Sequence, residues 1–578
     1  MDAATTNGYV GTLVGESTSR EFRIAVAHET IREQDIIAVD ATLRRPTTPD
    51  APERIRIWAK VQRIERINPL FPTEAGHELA ATQTHPLETV LSLSREMVTA
   101  VCQVLGAEPL DGTTHGRLDH LRYPAQPAST AYSPSENDLA RVVLGDLRQT
   151  KDRALDIATL ANRPSVNVLV DGHAIVTRHL AILAMTGAGK SWAARRVIEE
   201  LVKKNWPIVI FDPRGDYSGL GDVPELTRRV RRYYAQFPIF EQDIETVITI
   251  IQSLGWKLAN THSSLFEELF KSAHRFLSGS TTELRERTTW LSDHLGSERI
   301  AKFGVQPDLY FLANFVQAVV EVGKTESEED FRQLREWGTS DELKIKKGTA
   351  RNLEGLPGNI RTAARQLRQM EEISKKVAHT SEPLPLSRTD LVAYGQISVI
   401  ALSGYRSDFQ AIIYRIITEA IFTARLRDEL EWPVLFLLEE AHNFAPAKAN
   451  TPAEEHAAAT TRQIAQEGRK FGVGLVLISQ RPSRLDETTL SQCNSYIIMR
   501  MANPVDQNYV RRVIETLGED EAAMLPDLDV GEAILSGQLT NFPVLVRIKP
   551  PESKGEHEEE DAFIALEQTR ANSIGPRT

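Results

Sequence analysis

The fold of this chain is decided by Ala184-Met185-Thr186-Gly187-Ala188-Gly189-Lys190-Ser191. The apolar run 179–183 before it predicts a buried strand, and residues 192–201 after it have the pattern of an amphipathic helix. A strand, a glycine-bearing turn, Lys-Ser and a helix, in this order, are typical of a phosphate-binding P-loop. The two glycines allow backbone N–H groups to turn inward around a phosphate, and the helix N-terminus adds its positive dipole end.

Each polar residue of this loop has an expected role. Lys190 is expected to reach the β- and γ-phosphates of a nucleotide, and the Ser191 hydroxyl is expected to ligate Mg²⁺. Ala184 stands where the first glycine of the usual pattern is expected, and alanine is the smallest replacement. The alternative is a chance glycine-rich turn before a helix. The residues assigned to the nucleotide are Thr186, Gly187, Ala188, Gly189, Lys190, Ser191 and Trp192.

Composition narrows the class of protein. A hydrophobic content of 41% and a charged content of 25% are those of a soluble globular protein. With no apolar run long enough for a membrane span, no secretory signal pattern, and two distant cysteines, Cys102 and Cys493, we expect a cytoplasmic location. The net charge of −12 argues against a nucleic-acid binder over its whole surface but permits a local basic channel.

The pattern of elements predicts an α/β fold with an additional β-domain. Short strands before residue 106 predict a small barrel or sandwich, and later strands that alternate with helices predict a parallel sheet covered on both faces. The expected organisation is an N-terminal β-barrel over 1–106, a connector over 107–139, ATPase core over 140–224, a helical insertion over 225–385, ATPase core again over 386–550, and an acidic flexible tail over 551–578.

Within the helical insertion, two groups of cations have two interpretations. Arg361, Arg365 and Arg368 share one helix face, and Lys344, Lys346 and Lys347 lie just upstream. A solvated charged face is one interpretation, and a nucleic-acid contact is the other.

An apolar strand, residues 434–438, ends in two carboxylates. Hydrolysis of a nucleotide needs a held Mg²⁺ and an oriented water molecule. We expect Glu439, which stands where aspartate is more common, to serve the metal, and its extra methylene would allow a contact through water. We expect Glu440 to polarise the attacking water as catalytic base. The alternative is an ordinary strand end with solvent-facing acids.

Three further polar residues are candidates for catalysis. Gln480 directly follows the apolar strand 475–479, where its amide could contact both the γ-phosphate and water, although it could also be a surface residue. Arg469 is the first candidate, and Arg462 the second, for an arginine finger that reaches the nucleotide of a neighbouring subunit. The alternative for both is a cation near a helix C-terminus.

Together these segments resemble the HerA family of hexameric DNA translocases, in the FtsK–HerA branch of RecA-like ATPases. The segments that carry the resemblance are Arg178-His179, the loop 185–191, Asp212-Pro213-Arg214-Gly215-Asp216-Tyr217, Leu438-Glu439-Glu440-Ala441-His442-Asn443, Glu467-Gly468-Arg469-Lys470-Phe471-Gly472, Ser479-Gln480-Arg481-Pro482-Ser483 and Gln492-Cys493-Asn494. The resemblance covers about residues 165–545 and implies a RecA-like P-loop ATPase core preceded by a small barrel.

The resemblance also implies partners. It implies a homo-hexameric ring with ATP sites between subunits and duplex DNA in its pore, and the expected cofactors are ATP and Mg²⁺. Because no apolar run is long enough to span a membrane, we expect no membrane partner. The resemblance further implies a second protein, either a nuclease, as NurA in archaea, or an effector of antiphage defence, such as an NAD-processing one. Two functions stay open: an ATP-driven motor that moves DNA, and a nucleotide-gated scaffold that holds and regulates an effector with little translocation.

Overall fold

The computed structural model describes residues 8–26, 30–45, 48–67, 97–110, 118–145, 152–236, 238–242, 244–253, 263–278, 280–296, 306–337, 345–380 and 382–553, together with 77, 81, 564, 566, 567 and 570. Lys344 and most of the tail predicted over 551–578 lie outside the described residues. The chain divides into two compact units. The first comprises Met1–Trp206 and Gly472–Glu552, and the second comprises Pro207–Phe471 and Ser553–Thr578.

The strands are β1 Tyr9–Ser17, β2 Glu21–Val26, β3 Ile36–Arg45, β4 Thr48–Ile67, β5 Met97–Pro109, β6 Thr130–Tyr132, β7 Ala154–Leu160, β8 Asn167–Asp171, β9 Leu180–Leu183, β10 Ile208–Asp212, β11 Val230–Tyr234, β12 Ile397–Ala401, β13 Val434–Leu438, β14 Val473–Ser479, β15 Ser495–Met499, β16 Glu532–Gly537 and β17 Val544–Ile548.

The α-helices are α1 Glu136–Leu144, α2 Gly172–Arg178, α3 Lys190–Lys203, α4 Ile244–Ser253, α5 Ser263–Leu277, α6 Thr281–Leu295, α7 Leu309–Thr325, α8 Glu328–Glu336, α9 Lys347–Asn352, α10 Leu356–Val377, α11 Ser407–Leu426, α12 Pro452–Glu467, α13 Glu487–Ser491, α14 Pro504–Val513 and α15 Glu519–Met524. Among the described residues, none of these helices is both long enough and apolar enough to cross a membrane.

The N-terminal strands form a closed barrel in the order β1-β2-β5-β4-β3-β6. Residues that alternate along each strand point inward, and the core includes Leu13, Phe22, Ile24, Val39 and Ile57. The short strand β6 closes the barrel by pairing with β1 on one side and β3 on the other. It lies within the stretch 107–139 that the sequence predicts as a connector, and the domain boundaries themselves stay a prediction.

The sheet of the first unit has mixed direction. Strand β9 lies between β14 and β15 and is parallel to both, with every residue buried. From β15 onward each neighbour is antiparallel, in the order β16, β17, β7 and β8. The expectation of a parallel sheet is therefore right around β9 and wrong for these four strands, whose pairing does not follow from apolar periodicity.

The second unit contains parallel strands in the order β11-β12-β10-β13. Every residue of β10, β12 and β13 is buried, which explains why these strands read as continuous apolar runs. Phe211 of β10 lies in register with Leu438 of β13. The residues that follow this pair, Asp212 and Glu439, therefore emerge side by side at the carboxyl edge of the sheet.

The predicted helical insertion contains α4 to α10 between β11 and β12. Two of its three aligned arginines are used internally against α7. The guanidinium of Arg361 donates to Asn314 Oδ1 at 3.3 Å, and that of Arg368 lies 4.8 Å from the centre of the Tyr310 ring and 3.4 Å from Asp308. For these two arginines the contacts favour a structural role over a nucleic-acid contact.

Candidate active site

The loop between β9 and α3 has the backbone of a phosphate-binding turn. Gly187 and Gly189 have φ angles of +80° and +99°, in the left-handed region where a side chain would be strained. Gly189 is the N-cap of α3 and supplies no side-chain hydrogen bond to the first amides of the helix. Helix N-termini leave their first N–H groups without intrahelical partners, and these groups favour an anion.

The loop is anchored on both sides by neighbouring backbone. Ala184 N–H donates to the carbonyl of Ser479 at 3.2 Å, and Gly531 N–H donates to the carbonyl of Ala188 at 3.1 Å. Ala184 is fully buried, so its methyl group is accommodated at the position where the usual pattern has glycine. The departure at Ala184 therefore leaves the turn intact.

The structure places Gln480 beside the loop, while its role toward a γ-phosphate stays a prediction. Thr186 Oγ1 donates to Gln480 Oε1 at 2.6 Å, at the end of β14 beside the end of β9. This bond uses the oxygen of the Gln480 amide and leaves its NH₂ group to donate to an acceptor such as a phosphate oxygen. Lys190 is buried at the start of α3, whereas Trp192 is exposed. Their roles toward a nucleotide stay a prediction.

In the second unit, a buried cluster of acidic and phenolic groups lies at the carboxyl edge of β10 and β13. Asp212, Glu439 and Tyr217 are all buried, and the Tyr217 hydroxyl donates to Glu439 Oε2 at 2.7 Å. Solvent-facing acids at a strand end, the alternative interpretation of Glu439 and Glu440, do not describe this pair, since both are buried.

Asp212 organises the loop that follows β10. Its Oδ1 accepts N–H bonds from Arg214 at 3.2 Å, Gly215 at 2.7 Å and Asp216 at 3.2 Å, and its Oδ2 accepts one from Tyr217 at 3.1 Å. Burial raises the pKa of Asp212 to about 7, although the N–H bonds oppose this rise. From the sequence, this segment contributes only to the family resemblance. An aspartate directly after a buried strand, followed by a loop with glycine, was the signal for its structural role.

Glu440 has an unusual environment for a charged residue. Its backbone is left-handed, with φ +51° and ψ +52°, a conformation that costs a non-glycine residue about 1–2 kcal/mol. Its Oε1 lies 2.7 Å from Arg214 Nη2 and its Oε2 lies 3.4 Å from His442 Nδ1. Neither contact has hydrogen-bond geometry, so both oxygens lack a hydrogen-bond donor among the described residues. A strained backbone and a buried carboxylate without hydrogen-bond donors occur here at one residue, and such strain is concentrated at functional sites.

The two candidate arginine fingers differ in exposure. Arg469 lies on the short 3-10 helix Gly468–Phe471 after α12, is exposed, and makes no hydrogen bond or ion pair with another residue that the structure describes. Arg462 lies on α12 and is partly buried. Arg469 is therefore the more accessible of the two side chains, and the role of each arginine stays a prediction.

Two features are typical of RecA-like P-loop ATPases. One is a glycine turn that follows a parallel strand and leaves the first amides of the next helix without a side-chain cap, and the other is a pair of buried acidic residues after a second parallel strand. The chain is an ATPase of this class. A small closed barrel precedes this core. Both the fold class and the enzyme class expected from the sequence are confirmed.

Comparison with known proteins gives the family. The sequence model described as Helicase HerA, central domain, matches residues 155–421. The DNA double-strand break repair helicase HerA of Pyrococcus furiosus is 30% identical over 487 residues, which cover 78% of each chain. Probable helicase MJECL08 of Methanocaldococcus jannaschii is 26% identical over 561 residues, 93% of this chain and 95% of that one. The chain belongs to the HerA family, and the resemblance stated from its sequence motifs is confirmed.

Proposed function

We propose that this chain is the subunit of a homo-hexameric ring that hydrolyses ATP to move duplex DNA. The observation that carries ATP binding is the N-terminus of α3, where no side chain caps the amides and where Lys190 is buried. The proposal for DNA is supported by the relatives that bear the name of DNA double-strand break repair helicase. An exposed Arg469 supports a ring, because a trans-acting finger needs a neighbour at every site.

The residues fit a nucleotide with Mg²⁺. Ser191 and Glu439 supply hydroxyl and carboxylate oxygens, the donors that Mg²⁺ prefers, and no group of three or more His, Cys, Asp or Glu among the described residues could hold a metal alone. Bound Mg²⁺ would neutralise charge on the phosphate oxygens. In this proposal Lys190 binds the β- and γ-phosphates, and Gln480 donates its NH₂ group to the γ-phosphate.

The proposed catalytic base is Glu440. A water proton needs an acceptor that is fixed and not already saturated, and both oxygens of Glu440 lack a hydrogen-bond donor among the described residues. Its left-handed backbone fixes the start of the side chain. Tyr217 holds the neighbouring Glu439, so that the two adjacent carboxylates can have separate roles.

The experiment is steady-state ATPase activity of the full chain with Mg²⁺, with and without linear duplex DNA. We expect Lys190→Ala to lose ATP binding and turnover. We expect Glu440→Gln to retain ATP binding and lose at least about 100-fold in kcat, since an amide is a poor proton acceptor. Turnover near wild type in Glu440→Gln would remove Glu440 from the catalytic role.

The nucleotide-gated scaffold is the second candidate function. The ion pair between Arg214 and Glu440 favours the scaffold, because a catalytic base that is engaged by an arginine would hydrolyse ATP slowly. The DNA arm of the same assay separates the two functions, since a motor is stimulated by DNA and a scaffold is not.

We also propose a protein partner, either a nuclease or an NAD-processing effector of antiphage defence, that docks on the barrel side. Repeated copies of the barrel around a ring would strengthen weak individual contacts. Deletion of residues 1–105 should abolish co-purification of the partner and spare ATP binding. Undiminished co-purification would place the docking surface elsewhere.

A further inference from the structure

Arg214 contacts the proposed catalytic base from the loop that follows β10. Its side chain is 50% exposed, whereas that of Glu440 is 4% exposed, and the two charges are 2.7 Å apart between Nη2 and Oε1. The guanidinium therefore places a full positive charge next to the buried carboxylate of Glu440. Because its other half faces outward, Arg214 can also meet an anion from outside the protein.

The backbone on both sides of this ion pair is held in place. Arg214 N–H donates to the buried Asp212, and the Ser403 hydroxyl donates to the carbonyl of Pro213 at 3.0 Å. Glu440 emerges from the fully buried end of β13 with a left-handed backbone. An ion pair between two mobile surface side chains adds little stability. Here one partner is buried and both side chains start from a fixed backbone, so the fold itself positions the contact.

We propose that Arg214 is a positioning residue that restrains Glu440 until a phosphate of duplex DNA takes over the guanidinium. This rests on the proposed role of Glu440 as the base. At 2.7 Å from Glu440 Oε1, the guanidinium occupies the space in which a water molecule would contact this oxygen. Arginine pairs with phosphate in a bidentate way, so the exchange replaces one ion pair by another.

The proposal makes DNA contact the event that releases the base. Glu440 then becomes available for water, and ATP turnover rises only when DNA engages Arg214. Without the arginine, the carboxylate is available at all times. Arg214→Ala should therefore hydrolyse ATP faster than wild type in the absence of DNA and gain little from DNA.

The test compares ATPase turnover of the full-length protein with and without linear duplex DNA. For Arg214→Ala we expect kcat without DNA to rise by about tenfold, a part of the roughly 10²–10⁴-fold that a general base contributes. The ratio of turnover with DNA to turnover without it should fall toward unity. Arg214→Lys, which keeps the positive charge, should retain most of the wild-type ratio.

A matched control comes from the same unit. Arg406 is also an exposed arginine, 58%, on a buried aspartate, Asp408, with Nη2 2.6 Å from Oδ2, but that carboxylate has no proposed role in hydrolysis. Arg406→Ala should leave both the DNA-free kcat and the ratio near wild type. A partial loss of folded protein lowers turnover with and without DNA alike, so the ratio still reports on Arg214, and Arg214→Gln serves if the alanine variant does not fold.

The outcomes separate two failures. If Glu440→Gln turns over like wild type, the proposed function of Glu440 fails, whatever Arg214 does. If Glu440→Gln is inactive but Arg214→Ala shows an unchanged or lower DNA-free kcat, the restraint by Arg214 is overturned while the base remains. An unchanged DNA ratio in Arg214→Ala would overturn it as well.

Discussion

The hydroxyl of Tyr217 offers a sharp test of the buried carboxylate cluster. It donates to Glu439 Oε2 at 2.7 Å, and both residues are fully buried. Tyr217→Phe keeps the ring and its packing and removes only this hydrogen bond. Hydrogen bonds to charged groups contribute about 1.5–3 kcal/mol, and the loss leaves a buried carboxylate with one donor fewer, so we expect a loss of about 2 kcal/mol.

This free energy converts to a measurable shift in melting temperature. For a unit of more than about 150 residues, 1 kcal/mol lowers Tm by roughly 2–4 °C, so Tyr217→Phe should melt about 4–8 °C below wild type. The assay is scanning calorimetry of the full chain, with the transition of the second unit followed separately. The same variant should need more Mg²⁺ for half-maximal ATPase activity, because Glu439 is then less well oriented.

Tyr414→Phe is the matched control. Tyr414 lies on α11 in the same unit, is equally buried, and its hydroxyl accepts a bond from the neutral Thr461 hydroxyl at 2.9 Å. The Thr461 hydroxyl also lies within hydrogen-bonding distance of two backbone carbonyls, so it keeps an acceptor when the Tyr414 hydroxyl is removed. We expect a loss of about 1 kcal/mol or less. If Tyr217→Phe is no more costly than Tyr414→Phe, the reasoning about a charged buried partner is refuted.

Three further predictions concern other groups. Because the folded pKa of Asp212 is raised to about 7 from an unfolded value near 4, its stabilising contribution is complete below pH 4 and is lost as pH rises through 7. The Tm of wild type should therefore fall relative to that of Asp212→Asn between pH 5 and 8, and a constant difference would contradict this. Lys60 pairs with Glu521 with both side chains buried, so Lys60→Met should cost about 3–5 kcal/mol in urea unfolding, and an unchanged midpoint would refute it. Mixing inactive Lys190→Ala with inactive Arg469→Ala subunits should restore part of the ATPase activity, and no recovery in confirmed mixed rings would argue against a trans finger.

The strands that position the site could be predicted because they are buried on both faces. β9, β10 and β13 contain only buried residues, so their sequences are continuous apolar runs that end where polar residues begin. The P-loop and the two glutamates follow directly from those ends. The closed barrel could be predicted only as a class, because alternating strands are common to barrels and sandwiches.

Other parts of the fold leave a weaker trace in the sequence. β11, Val230–Tyr234, is a polar edge strand with two arginines, and β6 has only three residues. The sequence also does not indicate whether strands pair parallel or antiparallel, since β16 and β17 are as apolar as a parallel strand would be. The contact between Arg214 and Glu440 depends on the register of β10 with β13 and on a left-handed glutamate, and neither is encoded in a local pattern.

The loop 212–217 contains one position, 214, whose side chain could be changed without loss of the fold. Asp212 must accept the loop amides, Gly215 must adopt a φ of +90°, and Tyr217 must reach Glu439. The side chain of Arg214 is not needed for this turn, since within the loop Arg214 is bonded through its backbone N–H. It nevertheless ends 2.7 Å from Glu440. A substitution at this position can therefore change the charge beside the proposed base while the turn that positions it is retained, which makes position 214 a place where turnover can be adjusted independently of the fold.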